Sequence, residues 1–178
     1  MWTKHDMPDQ AGKTVLVTGS NAGIGYETAL ALYQAGAHVI VACRDADKGE
    51  AAISRMERAN GRGSLELNVL DLADLEAIQA AANGVKQAHQ QLDILINNAG
   101  VMMPPAGQTK AGFEWQFGVN FIGHFALTAH LYPLLKQTHL SRVVTVSSAA
   151  NTYVDHVDLG IFAWKSRMKP CGNTPSAS

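Results

Sequence analysis

Along residues 14–146, short apolar runs alternate with longer stretches in which apolar side chains recur every third or fourth position. Residues 14–18 (TVLVT), 38–42 (HVIVA), 65–69 (LELNV), 92–96 (LDILI) and 142–146 (RVVTV) have the length and β-branched content of strands. Residues 24–35 carry a helical pattern, with Gly36 placed as its C-terminal stop. Residues 46–59 read as a charged, exposed helix. In the next one, Leu72, Leu75, Ile78, Ala82 and Val85 fall at helical spacing. Residues 113–136 form a long apolar-rich helix whose end Pro133 is expected to kink or shorten.

Five strands separated by helices predict an α/β domain with a parallel sheet covered on both faces. Right-handed crossovers make a three-layer, doubly wound Rossmann arrangement the expected topology. No internal repeat or linker interrupts residues 10–150. One domain is expected over residues 1–165, followed by a polar, Pro-containing tail at 166–178 that is expected to be disordered.

Composition narrows the function classes. A net charge of −1 gives no footprint for nucleic acid or an anionic membrane, so neither is an expected partner. No apolar run is long enough to span a bilayer, and the polar start lacks a signal peptide's apolar core. Two distant cysteines, Cys43 and Cys171, fit a reduced, cytoplasmic protein. The cysteines fit no metal-ligand spacing, and His124 and His130 share the long helix but are not four apart, so no metal site is expected. Met102 and Met103 are expected to line or pack against an apolar pocket. The stripe Phe113, Phe117, Phe121 and Phe125 reads as core or subunit contact.

The candidate chemistry begins after the first strand, where Thr18-Gly19-Ser20-Asn21-Ala22-Gly23-Ile24-Gly25 leads into the first helix. Glycine lets a backbone approach a pyrophosphate, and the following helix N-terminus offers free N–H groups and a positive dipole end. A tight strand-to-helix turn explains glycine there as well, but placement and spacing favour phosphate binding.

Thr-Gly-x-x-x-Gly-Ile-Gly at 18–25, Asn-Asn-Ala-Gly at 97–100 and Val-Ser-Ser at 146–148 each end a strand, in that order. Together they resemble the short-chain dehydrogenase/reductase family. CRDADKG at 43–49, NNAGVMMPP at 97–105 and FGVNFIGHFALT at 117–128 resemble its branch containing retinol dehydrogenases and their bacterial relatives. The resemblance covers residues 7 to about 155.

It implies an oxidoreductase that passes hydride between nicotinamide and a small carbonyl or alcohol substrate. Gly19, Ser20, Asn21, Gly23, Ile24 and Gly25 would form the cofactor turn. Asp71 and Leu72 would contact the adenine, with a helix N-cap as the other reading of Asp71. Asn97 would brace the sheet while Ala99 and Gly100 leave room for the adenosine; Asn98 alone fits turn chemistry equally well. Cys43 stands where NAD-specific relatives carry an Asp, and Arg44 is placed to meet a 2′-phosphate, so NADP(H) is expected before NAD(H). The other reading of Arg44 is a solvated cation beside Asp45 and Asp47. Asn120 and Ser148 match the family's catalytic Asn and Ser; on residue type alone Ser148 reads as an ordinary strand-end serine.

The family's Tyr-x-x-x-Lys is missing. Tyr153 is followed four residues later by Val157, and neither Lys165 nor Lys169 has a Tyr four residues upstream. An inactive or severely impaired chain is expected, with a sheet incomplete at its C-terminal edge and either poor stability or self-association. The other reading is a non-catalytic nucleotide-binding module, or a truncated or frameshifted gene product. Residues 173–178 are compatible, under one choice of codons, with Tyr-Ala-x-Ser-Lys in a shifted frame.

Overall fold

A computed structural model describes residue 3 and residues 6–148. Strands β1 (Thr14–Thr18), β2 (His38–Cys43), β3 (Ser64–Val69), β4 (Ile94–Asn97) and β5 (Arg142–Thr145) alternate with helices α1 (Gly23–Gln34), α2 (Ala46–Glu57), α3 (Leu75–Ala88) and α4 (His124–Gln137). All strand pairs are parallel, in the order β3-β2-β1-β4-β5. The chain winds outward from β1 to β3, then returns across β1 to β4, so strand order reverses between β1 and β4. Open α/β sheets bind ligands at the carboxyl ends of the strands beside such a reversal.

Strand alternation builds the three layers. Val15, Val17, Val39 and Val41 face one way and pack with Ala29, Leu32, Ile53 and Met56 of α1 and α2. Leu16, Ile40 and Leu95 face the other way, against Ile78, Ala82, Leu127 and Leu131 of α3 and α4. β1 is buried at every position, which explains its continuous apolar run. Fully burying one such side chain contributes about 1.5–3 kcal/mol.

Several local expectations are corrected. α4 continues through Pro133 to Gln137. Pro133 is exposed, so the carbonyl left without its N–H partner lies on the side where water replaces it. Ahead of α4, Phe117–Gly123 is π-helical, and Phe113 lies outside the helix. Leu72 precedes α3, whose N-cap is Asp74, accepting hydrogen bonds from the N–H groups of Glu76 and Ala77. The capping alternative for Asp71 therefore falls. Met102 and Met103 are exposed, and so are Phe121 and Phe125, which removes a core role for that end of the stripe.

The domain limit near residue 165, the tail at 166–178, Tyr153 and both later lysines lie outside the described residues. Among the described residues, no helix is long and apolar enough to cross a membrane.

Candidate nucleotide-binding site

A cleft of about 480 Å³ opens at the carboxyl ends of β1, β2 and β4. It is lined by Gly19, Asn21, Ile24, Gly25, Arg44, Asp71, Leu72, Ala99 and Gly100, which the sequence had nominated, and by Lys48, Trp115 and Val119, which it had not.

The floor of the cleft depends on two glycines. Gly19 has φ +67°, and a Cβ there would come within 2.9 Å of the Ala99 Cα. A Cβ on Gly25 would overlap the Gly19 carbonyl and the Asn98 side-chain amide. The 18–25 turn and the 97–100 segment are thus packed backbone to backbone, and the space above them stays open. α1 begins at Ala22 in an extended conformation, with no side-chain cap and no acidic residue in its first turn. α2 and α3, by contrast, are each capped by an aspartate. The first N–H groups of α1 are left for an anion, which is what a nucleotide phosphate supplies.

At the end of β2, Asp45 caps α2 through the Lys48 N–H and pairs with the Lys48 ammonium at 3.3 Å. That backbone hydrogen bond, followed by the Lys48 side chain, holds the Asp45 carboxyl below its usual range. Arg44 is exposed and makes no hydrogen bond or ion pair with any described residue, an arrangement that suits both a solvated cation and a group free to meet an anion in the cleft. Burial pushes the Cys43 thiol up, so this position stays uncharged at neutral pH. Lys48 was legible in hindsight, since the first turn of a helix that follows β2 directly must lie at the same sheet end as Arg44.

Two nominated residues point away. The Ser20 hydroxyl is fully buried, donating to Val17 O at 2.7 Å and accepting from Ala42 N at 3.1 Å, so it ties β1 to β2. Gly23 (φ +58°) shapes the turn without lining the cleft. Asp71 Oδ1 accepts from Ala73 N at 2.9 Å, which orients the carboxyl at the cleft wall. Asn97 is buried, its Nδ2 donating to Thr128 Oγ1 at 3.2 Å, and its Oδ1 has no partner among the described residues. The Asn120 side chain is paired twice with the Val101 backbone: its Oδ1 accepts from N at 2.8 Å and its Nδ2 donates to O at 2.9 Å. Ser148 follows β5 at the same end of the sheet and is exposed.

Thr18 and His124, 106 residues apart, form a junction that sequence spacing did not reveal. Thr18 is fully buried, and its Oγ1 accepts from the N–H groups of Asn98 and Ala99, each at 2.9 Å. His124 Nδ1 lies 3.0 Å from Asn120 O, an acceptor, so this nitrogen carries the proton and Nε2 is left to accept from the Thr18 hydroxyl at 2.9 Å. Every polar site of the hydroxyl is then used, and a second proton on His124 would face a hydroxyl with no lone pair to spare. Burial adds to this and holds the His124 pKa below its ordinary value.

The folded state therefore resists a proton that the unfolded chain accepts. Stability is complete above the ordinary histidine pKa of about 6.5 and declines as pH falls below it. Thermal melts at pH 7.5 and 5.5 should show this decline, reduced in His124→Gln; equal declines in both chains would exclude His124 as a source.

The sequence profile described as short chain dehydrogenase matches residues 13–157. The chain belongs to this oxidoreductase family. Human retinol dehydrogenase 11 is 48% identical over 140 residues, covering 79% of this chain and 44% of that protein. Human retinol dehydrogenase 13 is 44% identical over 156 residues, covering 88% and 47%. A short-chain dehydrogenase/reductase of Armillaria gallica is 43% identical over 169 residues, covering 92% and 53%. These relatives place the chain in the retinol-dehydrogenase-like branch, and it spans about half the length of the curated relatives it matches. Among solved structures, a Mycobacterium paratuberculosis protein has 43% identity and a TM-score of 0.81, covering 95% of this chain and 58% of that one. Pseudomonas aeruginosa RhlG, in an NADP active-site complex, has 28% identity and a TM-score of 0.70, covering 86% and 61%. The short-chain dehydrogenase family uses nicotinamide cofactors and small-molecule substrates, and its doubly wound parallel fold is the one found here.

Proposed function

We propose that the cleft binds NADP(H) as the cofactor half of an oxidoreductase acting on a carbonyl or alcohol carbon. The observation that carries this reading is the pairing of an uncapped α1 N-terminus with an unpartnered Arg44 at the end of β2. Gly19 and Gly25 let a pyrophosphate approach the backbone, Asp71 and Leu72 bound the adenine, and Ala99 and Gly100 leave the adenosine room. Arg44, with Lys48 beside it, meets the 2′-phosphate. When bound, the nicotinamide supplies or accepts the hydride. Ser148 orients the substrate carbonyl from the end of β5. Asn120 holds residues 99–101 in place, and a part in a proton relay would require release of its pair with Val101.

Arg44→Ala is expected to weaken NADPH binding roughly ten- to hundredfold while leaving NADH binding nearly unchanged. A charge-assisted contact of about 1.5–3 kcal/mol corresponds to that range. Fluorescence titration with both cofactors checks it, and an unchanged preference would rule out the role.

A second reading, a nucleotide-binding module without catalysis, uses the same cleft; turnover separates the two. In either case the 178-residue chain is expected to be poorly stable or to self-associate. Among the described residues β5 pairs only with β4, and Val143, Val144 and Val146 are exposed. Sedimentation that gives a strict monomer, with a sharp melt above about 60 °C, would count against this.

A further inference from the structure

We propose that His38, Glu66 and His89 form a binding site for a divalent transition metal of the zinc class, at the end of the sheet opposite the cleft. The Nε2 atoms of both histidines converge on one carboxylate oxygen, Glu66 Oε2, at 3.1 and 3.0 Å. All three ligand atoms lie within 4.8 Å of one another. Zn–N and Zn–O bonds of about 2.0–2.2 Å at tetrahedral angles separate ligand atoms by about 3.3 Å. Two of the three separations, 3.1 and 3.0 Å, are already near that spacing, and the third lies within 4.8 Å.

The three side chains come from separate, well-anchored elements. His38 opens β2. Glu66 stands two register positions along β3, on the face it shares with His38, because His38 pairs with Ser64 and Ile40 with Glu66. His89 is the C-cap of α3, held by its N–H to Val85 O. Side-chain exposures of 28%, 36% and 15% leave the remaining coordination position open to water.

A partner beyond the ligands is present as well. His38 Nδ1 lies 2.7 Å from Ser64 Oγ. With Nε2 on a metal, the imidazole proton sits on Nδ1 and donates to that hydroxyl, which fixes tautomer and ring orientation together. Without metal, the Nε2 N–H of His38 donates to Glu66 Oε2. Two imidazoles and one carboxylate suit zinc, cobalt or nickel better than magnesium or calcium.

Five residue steps of β2 separate His38 from Cys43, so the site lies about 17 Å from the cleft. The metal would therefore clamp β3, the outer strand beside β2, to α3, without entering the hydride chemistry. The sequence showed no such site because Glu66 is 28 residues from His38 and 23 from His89.

The test uses the 178-residue chain stripped of metal and titrated calorimetrically with ZnCl2, with CoCl2 absorption as the second readout. One equivalent of zinc should bind saturably, and cobalt should give the visible bands of a low-coordinate site. His89→Ala and Glu66→Gln should each lose more than about tenfold in affinity, and Ser64→Ala, which keeps all three ligands, about tenfold. His139→Ala should bind as the parent does. Glu66→Gln preserves shape and hydrogen bonding to one imidazole, so it separates lost ligation from lost folding, with circular dichroism as the check. No zinc binding by the parent chain, or equal binding by the parent, His89→Ala and Glu66→Gln, would overturn the proposal.

Discussion

The 178-residue chain is expected to reduce aldehydes with NADPH at least 10²–10⁴-fold more slowly than a chain that continues through Tyr-x-x-x-Lys. That range is the usual contribution of a positioned general acid or base. The resemblance assigns this work to a Tyr whose pKa a nearby Lys lowers. A tyrosine left at its ordinary pKa of about 10 is a poor base at neutral pH. Tyr153 is five residues from Ser148, and the position four beyond it is Val157, so it has no such lysine. By the same resemblance a lysine of that motif would contact the nicotinamide ribose, so the longer chain is also expected to bind cofactor more tightly. The measurement is NADPH-dependent turnover of an aldehyde panel by this chain and by one restored through the shifted reading frame. Comparable rates would refute the prediction and direct attention to Tyr153 or another group.

The second large effect is expected from Thr18→Val. The substitution keeps shape and removes the hydroxyl on which the N–H groups of Asn98 and Ala99 and the Nε2 of His124 converge. Thr18 is fully buried, so water does not replace the lost partner. Two backbone donors left unpaired at about 1–3 kcal/mol each give about 2–6 kcal/mol, a large fraction of a domain's total stability. For a chain of this size that lowers Tm by roughly 4–24 °C. The same junction joins the glycine turn to the 97–100 segment, so on the proposed function cofactor affinity should fall with it. Thr18→Ser, which keeps the hydroxyl, should recover most of both. Melts of Thr18→Val and the parent that agree within about 1 °C would show that the junction is not holding these segments.

Much of the layout was legible because its signals are local. An apolar run such as Thr14–Thr18 is buried on both faces, and this needs only strand geometry to read. Gly36 stops α1 because its φ of +101° suits glycine. The doubly wound topology was expected from crossover handedness, and the cleft from the glycine turn at the first strand's end. Where the sequence left a choice open, a side chain had more than one use for its chemistry and only its neighbours chose between them. Asp71 and Asp74 are equally good caps by residue type, and the start of α3 at Leu75 gave the role to Asp74. Pro133 ends many helices, yet here it sits on the exposed side of α4, where a lost hydrogen bond costs little.

The sequence by itself determined the strands, the helices, the parallel sheet and the glycine turn, because each depends on contacts between near neighbours or on a fixed alternation. Tertiary structure alone decided which polar groups meet across long separations. It turned the Ser20 hydroxyl into the sheet, where it bonds Val17 and Ala42. It brought His124 to Thr18 and gathered His38, Glu66 and His89 around one oxygen. Hydrogen bonds are short-ranged and directional, so residue type states what each group is able to do, and only the packed layers bring its partner within reach.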